Sequence, residues 1–382
     1  MSGGVDSSVA AALLLKAGHD VTGAFMVNYD DKNTEKSCWR RDYQDALRVC
    51  ARLGIKLLRL DFQDEYKKHV SNYMYKEYEA GRTPNPDVLC NKYIKFGVWL
   101  EKARELGFDL VATGHYANTT LSFPRPPSPR LWRLKRRESM VKLLAAKDSN
   151  IDQTYFLHQL NQDQLQHVIF PIGKYIKDEV RKLAKKFKLP TAEKEESLGI
   201  CFIGEVPMKE FLEKKIKAKK GKIITSEGKM VGEHSGLPFY TIGQRVGLVS
   251  LRAKRSNPNA DSTRPLFVVG KNIAKNELIV GNEDDPLLYS DEIEVTDVNW
   301  INGQPPKLPL KCLVRLRHRQ PLQECIVCHC ENPDPVGRRG NLIVKFTIPQ
   351  RAVTPGQFAV FYATAEALAK EDRECLGGGV IN

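Results

Sequence analysis

The sequence predicts an α/β domain with a parallel sheet, followed by two small β domains. In the first half, strand-like apolar runs alternate with helical periodicity, which is typical of βαβ units. After about residue 204 the segments become short, β-rich and separated by Gly and Pro, which favours small sheets or barrels. A chain of 382 residues has room for three domains, and we place them at residues 1–204, 205–289 and 290–382.

Each apolar segment has the length and period of one element. Helices are predicted over 7–16, 43–53, 64–78 and 93–106, with a further basic helical segment over 174–188. Strands are predicted in the first half over 21–27, 56–62 and 110–113. In the second half they are predicted over 222–225, 266–269, 277–280, 312–316, 342–348 and 358–362.

Charge and cysteine content limit the classes of partner. The net charge of +13 favours polyanions, although solvated surface lysines would give the same excess. No apolar run approaches the ~20 residues that span a bilayer, so we expect no membrane partner. Nine scattered cysteines do not fit a secreted disulfide framework. We expect a reducing compartment, namely the cytoplasm or, alternatively, the mitochondrial matrix.

A glycine-rich string, SGGVDSS, occupies residues 2–8 and runs directly into the first predicted helix. Gly3 and Gly4 allow close backbone approach, and N–H groups and serine hydroxyls at a helix N-terminus can hold an anion. The Gly-Lys-Ser/Thr of a Walker loop is absent. Taken alone, a Gly-Gly pair here also fits an ordinary helix cap.

Two cysteines stand in unusual local sequences. Cys90 follows the proline-fixed stretch RTPNPDVL, and the next helix is expected to begin at Lys92, so a helix N-terminus and a cation would both favour its thiolate. Asp87, three residues earlier, is a candidate acid or base. Cys201 lies between two glycines in GICFIG, a segment that by itself also fits a buried strand.

The motifs SGGVDSS, PNPD-x-x-C and GICFIG occur in this order in the tRNA-specific 2-thiouridylases of the ATP pyrophosphatase (PP-loop) superfamily, which this chain resembles over nearly its whole length. ATGHY, SNIDQ, GLPFYTIGQRVGL and TPGQFAVFY also match that family. The resemblance implies an adenine-nucleotide hydrolase-like parallel sheet, a central β domain and a C-terminal β-barrel. It also implies ATP-dependent 2-thiolation of the wobble uridine in tRNAs for lysine, glutamate and glutamine.

The resemblance further implies residue roles, with ATP and Mg²⁺ as cofactors. Cys201 would carry the persulfide sulfur, and Cys90 would be the nucleophile that helps release that sulfur and ends in a disulfide with Cys201. The nucleotide contacts would be Met1, Ser2, Gly3, Gly4, Val5, Asp6, Ser7, Met26 and Gly114, with Asp6 also holding Mg²⁺. The contacts to the target base and the rest of the tRNA would be Asn85, Pro86, Asp87, His115, Ile151, Asp152, Gln153, Arg317, His318 and Gln357.

The implied partners are tRNA and an upstream persulfide donor of a cysteine desulfurase relay, and we expect a monomer. The chain departs from the family at Ile151, where a lysine is usual, which puts one RNA phosphate contact in doubt. The family also has an apolar strand ahead of SGGVDSS. We therefore expect the chain as written to be a truncated reading, less stable and weaker in ATP binding than an extended form.

Several alternatives stay open at the level of sequence. The chain could be another adenylating enzyme of the same loop class, or a non-catalytic RNA-binding protein, although the presence of both Cys90 and Cys201 argues against the latter. The basic insertion at 121–137 is either a solvated surface segment or an RNA contact, and the role of 250–263 is open. Cys325, Cys328 and Cys330 would need a turn to gather around a metal, so we favour a barrel strand there.

Overall fold

The computed structural model describes residues 1–30, 38–120, 140–195, 208–247, 264–330, 341–364 and 373–382. Over these ranges the chain forms an N-terminal α/β region, a five-stranded central sheet and a closed six-stranded barrel. This is the fold class that the sequence predicts.

The N-terminal region is built on short parallel strand pairs flanked by helices. β1 (Gly23–Val27) pairs in parallel with β2 (Leu57–Asp61), and β3 (Val111–Ala112) pairs in parallel with β6 (Val168–Ile169). These strands lie within two residues of the predicted ones where a prediction was made. The helices of this region are Val5–Lys16 (α1), Cys38–Leu53 (α2), Gln63–Tyr66, Asn72–Glu79, Pro86–Leu89, Trp99–Glu105, Thr154–Leu157, Gln162–Leu165 and Lys177–Lys186.

Two of the helical stretches contain a π-helical segment. Lys67–Ser71 joins the helices on either side into one stretch, which corresponds to the long helix predicted over 64–78. Cys90–Val98 does the same between Pro86–Leu89 and Trp99–Glu105. The expected helix start at Lys92 is therefore wrong, because Pro86 occupies the first helical position and its fixed φ suits a helix beginning there.

The central region is a mixed sheet with a short helix at its start. Helix Met208–Glu213 precedes a sheet of five strands. The strands are β7 (Gly221–Thr225), β8 (Met230–His234), β9 (Arg245–Val246), β10 (Leu266–Asn272) and β11 (Glu277–Gly281). Their order in the sheet is β8-β7-β11-β10-β9.

The C-terminal region is an antiparallel barrel with its own apolar core. The strands are β12 (Tyr289–Trp300), β13 (Leu310–Arg315), β14 (Gln323–His329), β15 (Leu342–Arg351), β16 (Phe358–Tyr362) and β17 (Glu374–Ile381). The strand order is β12-β15-β14-β13-β16-β17, and β12 also pairs with β17, which closes the barrel.

A hairpin from the N-terminal region extends this barrel sheet. β4 (Asn118–Thr119) pairs with β5 (Leu143–Leu144), and β5 pairs with β17. The N-terminal region and the barrel are thus joined by backbone hydrogen bonds. In the part of the chain that the structure describes, no helix is long and apolar enough to cross a membrane.

Candidate active site

The phosphate loop (residues 2–8) is organised by its own serines around a helix N-terminus. The hydroxyls of Ser7 and Ser8 donate to the carbonyl oxygen of Gly4 at 3.3 and 2.7 Å, and the Ser2 N–H donates to Ser7 Oγ at 3.1 Å. Gly3 has a φ of 75°, and a Cβ there would lie 2.2 Å from the Asp42 carbonyl oxygen. The first amides of α1 have no acceptor within the helix, so this end of the helix is suited to an anion.

Asp6 lies in the first turn of α1, beside a lysine that the sequence placed only within a basic segment. Its two carboxylate oxygens accept from Lys177 Nζ at 3.0 and 3.1 Å, and Oδ1 also accepts from the Tyr116 hydroxyl at 2.9 Å. The Asp6 side chain is 31% exposed and that of Lys177 19% exposed. The pair therefore brings a partly accessible carboxylate and a partly accessible ammonium to the phosphate loop.

Asp6 also meets the requirements of a magnesium ion that arrives with a nucleotide. Among the described residues there is no cluster of three acidic, His or Cys side chains able to hold a metal by itself. Mg²⁺ bound to phosphates commonly takes only one or two protein carboxylates. The partly exposed Asp6 carboxylate fits that role as a single protein ligand.

A second lysine, Lys194, fastens the phosphate loop to helix α2. Its Nζ donates to the Gly3 carbonyl oxygen at 3.1 Å and to carboxylate oxygens of Asp42 and Asp45 at 2.7 Å each. The contact joins residues about half the chain apart, which explains why no sequence pattern revealed it.

Three further residues were predicted to contact the nucleotide. Gly114 follows β3 and packs so closely on the loop that a Cβ there would lie 2.6 Å from the Ser7 nitrogen. Met26 is half-buried on β1 and packs against the apolar cluster that contains Cys90. The α-amino group of Met1 donates to the Ala24 carbonyl oxygen at 2.5 Å, and burial lowers its pKa to about 6.

Cys90 lies inside a helix whose start is capped by Asn85. The Asn85 side chain accepts from the Val88 N–H at 3.4 Å, and Pro86 is the first helical residue. Cys90 is fully buried, and Asp87, one turn earlier, is half-buried. Because the dipole effect fades beyond the first turn, the helix terminus favours a thiolate at Cys90 less than the sequence suggested.

Lys92, the cation expected near Cys90, is engaged with another side chain. Its Nζ donates to Gln159 Oε1 at 2.9 Å, and burial lowers the pKa of Lys92.

The cysteine loop (residues 81–85, ahead of the Cys90 helix) is held by the other two regions of the chain. From the barrel, Gln357 Nε2 donates to the carbonyl oxygens of Thr83 and Pro84 at 2.8 and 3.3 Å. From the central region, Lys271 Nζ donates to the Gly81 carbonyl oxygen at 2.8 Å, and the Thr241 hydroxyl lies 3.3 Å from that of Thr83. Contacts from two further regions thus fix the approach to Cys90.

Both histidines predicted to contact tRNA are neutral at physiological pH. His115 follows Gly114, its Nδ1 lies 2.8 Å from the Thr113 hydroxyl, and burial lowers its pKa well below the usual range. Burial lowers the pKa of His318 to about 4, and its ring lies 4.6 Å from that of Phe156. In this state the two rings can stack or form neutral hydrogen bonds but add no charge for a phosphate.

Asp152 and Gln153, predicted as tRNA contacts, form bonds within the protein. The Asp152 side chain is 3% exposed, lies 3.2 Å from Arg315 Nη1 of the barrel and accepts from the Thr154 hydroxyl at 2.8 Å. Burial raises its pKa, with Thr154 and Arg315 opposing the rise. Gln153 Oε1 accepts from the Tyr116 N–H at 2.9 Å. Their contact with tRNA stays a prediction, and the structure gives both residues a role in joining elements.

Arg317 and Ile151 are likewise engaged with the fold. Arg317 Nη2 donates to the Ala352 carbonyl oxygen, to Thr354 Oγ1 at 2.8 Å and to the Ile242 carbonyl oxygen of the central region at 3.2 Å. Burial lowers its pKa. Ile151 packs against the apolar cluster beneath α1, in agreement with an apolar residue replacing the family's lysine.

Several predictions fall on residues outside the described ranges. They include Cys201 with its GICFIG segment, the basic insertion at 121–137, and the insertion at 250–263. The site described here therefore consists of the phosphate loop, the cysteine loop and the helix that carries Cys90.

The cysteines of the segment 325–330 lie on or directly after a barrel strand. Cys325 and Cys328 are on β14, and Cys325 faces Cys312 of the neighbouring strand with 3.5 Å between the sulfur atoms. Cys325 is buried, whereas Cys328 and Cys330 are half-buried. Among the described residues, these cysteines are not part of a group of three or more side chains that could hold a metal ion.

Three family models match successive parts of the chain. Residues 1–205 match the model described as tRNA methyl transferase HUP domain, and residues 209–282 match the tRNA methyl transferase PRC-barrel domain. Residues 290–381 match the aminomethyltransferase beta-barrel domain.

Curated relatives match the chain from end to end. The tRNA-specific 2-thiouridylase MnmA of Nitrosomonas europaea is 44% identical over 100% of this chain and 96% of its own length. The protein of the same name from Geobacillus thermodenitrificans is 44% identical over 100% of this chain and 93% of its own. That from Lactobacillus gasseri is also 44% identical, over 100% and 94%. At this identity and coverage, the chain belongs to the family of the tRNA-specific 2-thiouridylases.

Proposed function

We propose that this chain catalyses the ATP-dependent 2-thiolation of the wobble uridine in tRNAs for lysine, glutamate and glutamine. The observation that carries the proposal is that an open helix N-terminus and Cys90 are built onto the same α/β unit. Gly114 packs on the phosphate loop, and Met26, on strand β1, packs on the cluster that contains Cys90. Domain boundaries at residues 1–204, 205–289 and 290–382 are retained as part of this proposal.

The first half of the reaction requires a phosphate site. A uracil carbonyl oxygen is a poor leaving group, so O2 attacks the α-phosphorus of ATP, the bond to pyrophosphate breaks and O2 carries AMP. The open amides of α1 and the Lys177 ammonium, beside Asp6, would stabilise the negative charge on the departing pyrophosphate. Mg²⁺, when bound through Asp6 and the phosphates, would neutralise part of the same charge.

The second half requires two thiols. The terminal sulfur of a Cys201 persulfide attacks C2 of the activated base, and AMP leaves with the former O2. The transferred sulfur is then bonded both to C2 and to Cys201 Sγ. Cys90 attacks Cys201 Sγ and the bond between Cys201 Sγ and the transferred sulfur breaks. This releases 2-thiouridine and leaves a Cys90–Cys201 disulfide. The half-buried Asp87, one turn before Cys90, would accept the thiol proton. An external thiol must reduce the disulfide before the next cycle.

The remaining partners follow from this chemistry. We propose an upstream persulfide donor of a cysteine desulfurase relay, and a monomer that acts in the bacterial cytoplasm, with the mitochondrial matrix as the alternative compartment. Asn85, Pro86 and Asp87 would meet the target base, since they lie at the start of the helix that carries Cys90.

Nucleoside mass spectrometry of tRNA incubated with the chain, ATP and a persulfide donor tests the proposal. Wild type should produce 2-thiouridine, and Cys201→Ser should produce none while still binding tRNA, because oxygen cannot carry the persulfide. Cys90→Ala should stop turnover but still load labelled sulfur onto Cys201. Cys325→Ala serves as the control, because Cys325 is buried in the barrel's own apolar core and not in the cluster that contains Cys90. Thiolation above a few per cent of wild type in the Cys201→Ser variant would reject the assigned role.

A further inference from the structure

An asparagine at the end of β1 has a buried side chain that finds no hydrogen-bond partner among the described residues. Asn28 directly follows Val27, the last residue of the strand, and is 2% exposed. Neither its Nδ2 nor its Oδ1 has a hydrogen-bond partner in the described part of the chain. Each buried polar atom left without a partner costs about 1–3 kcal/mol, so an amide with both atoms unpaired is unusual.

The strand places this amide on the side of the sheet where Cys90 lies. Phe25 and Val27 pack with Ala46 of helix α2, on one face of β1. Ala24 and Met26 pack on the other face, against the cluster that contains Cys90. Because successive side chains of a strand point to opposite faces, Asn28 continues the second series. It also stands at the carboxyl end of a parallel strand, where open α/β sheets bind their ligands.

The chemistry of the amide narrows the kind of ligand. A phosphate or a carboxylate can only accept hydrogen bonds and would leave Oδ1 unpaired, and a metal ion would leave Nδ2 unpaired. A single ligand group that satisfies both atoms presents a donor and an acceptor side by side in one plane. The edges of adenine and of uracil do so, and the apolar neighbours Ala24 and Met26 suit a flat heterocycle.

We propose that the side-chain amide of Asn28 binds the hydrogen-bonding edge of a nucleobase in the reaction described above, an inference that rests on the proposed function. Adenine of ATP and uracil of the tRNA are the two sources of this chemistry. Asn28 would then explain how a site built on backbone amides and glycines discriminates among nucleotides.

Two substitutions separate a binding role from a structural one. Asn28→Asp keeps the shape but loses the donor, and Asn28→Leu fills the space without any polar atom. Because the amide has no partner in the described part of the chain, Asn28→Leu should fold at least as stably as wild type. Gln162→Leu is the matched control, since the Gln162 amide is satisfied by Val141 and Ile301 and its loss should lower stability without changing nucleotide affinity.

The measurements are equilibrium binding of ATP without tRNA, thiolation kinetics with tRNA, and thermal unfolding. If adenine is the ligand, both Asn28 variants weaken ATP binding about tenfold or more. Wild type then also binds purine riboside triphosphate, which lacks the exocyclic amine, correspondingly weakly. If uracil is the ligand, ATP affinity is unchanged, while kcat/KM for tRNA falls and discrimination against cytidine at the target position is reduced.

Unchanged ATP affinity together with unchanged tRNA kinetics in both variants would overturn the inference and leave the proposed function standing. A large loss of stability in Asn28→Leu, with binding constants unchanged, would also overturn it, because the amide would then serve the fold. If wild type bound neither ATP nor tRNA, the proposed function would fail and this inference with it.

Discussion

The phosphate loop and the cysteine loop are held in place by different parts of the chain. The phosphate loop is fixed by its own serines and by Lys177 and Lys194, all within the N-terminal region. The cysteine loop receives bonds from Gln357 of the barrel and Lys271 of the central region. We therefore expect nucleotide binding to depend on the N-terminal region alone, whereas the position of Cys90 should depend on all three regions.

The buried ion pair between Asp152 and Arg315 gives the largest expected effect. It joins the N-terminal region to the barrel, with side chains 3% and 7% exposed. Asp152→Asn leaves a buried guanidinium without its counter-charge, so we expect a loss of about 3–5 kcal/mol in the free energy of unfolding. Thiolation should fall further than ATP affinity, because the barrel also holds the cysteine loop. Urea unfolding, ATP binding and thiolation assays measure the three quantities.

The double variant Asp152→Asn with Arg315→Met is the control for this pair. Replacing both partners removes the unpaired charge and should recover much of the stability lost in the single variant. If ATP affinity instead falls in parallel with thiolation, the two loops are not independent and the comparison is wrong.

Gln357→Leu tests the barrel contact directly. It removes the donor to the Thr83 and Pro84 carbonyl oxygens, so the cysteine loop loses a constraint. We expect kcat for thiolation to fall about tenfold, corresponding to about 1.4 kcal/mol, with ATP affinity unchanged. Gln350→Leu is the matched control, since Gln350 is buried in the same barrel and bonds to Ile348. A loss of tRNA affinity with unchanged kcat at saturating tRNA would instead favour a purely tRNA-binding role for Gln357.

The sequence predicted local elements better than the contacts between regions. Strands β1 and β2 were predicted within two residues, because each is a short run rich in apolar residues between polar turns. The helix start before Cys90 was missed because its two prolines were interpreted only as fixing a loop, although Pro86 is the first helical residue and Asn85 its cap.

The partners of the site residues could not be predicted from local patterns. Arg315 lies 163 residues from Asp152, and Lys177 lies 171 residues from Asp6. Charged side chains so far apart in sequence carry no periodic signal of their pairing. The family resemblance supplied candidate tRNA contacts, but it gave no indication that Asp152, Arg317 and Gln357 also hold the three regions together.

Lys271 gives the smallest effect on catalysis and a distinct dependence on pH. Its Nζ donates to the Gly81 carbonyl oxygen, and burial lowers its pKa from 10.5 to about 8. Between these two values the unfolded chain binds more protons than the folded chain, so this residue adds to stability as pH rises through that window. Below about pH 8 the buried ammonium is a net cost, which Lys271→Met removes. The stability of wild type relative to Lys271→Met should therefore increase from pH 7 to pH 10, by at most about 1.4 kcal/mol per pH unit.

Lys271→Met should affect thiolation but not ATP affinity, because Lys271 contacts the cysteine loop and not the phosphate loop. Loss of the bond to Gly81 loosens the cysteine loop from the central region while Gln357 still holds it from the barrel, so we expect thiolation to fall only about two- to threefold. ATP affinity should stay at the wild-type value throughout the pH range. Lys275→Met, an exposed lysine in the turn between β10 and β11, serves as the control and should change neither quantity. A stability difference between wild type and Lys271→Met that does not vary from pH 7 to pH 10 would show that this lysine is not the buried group that the structure describes.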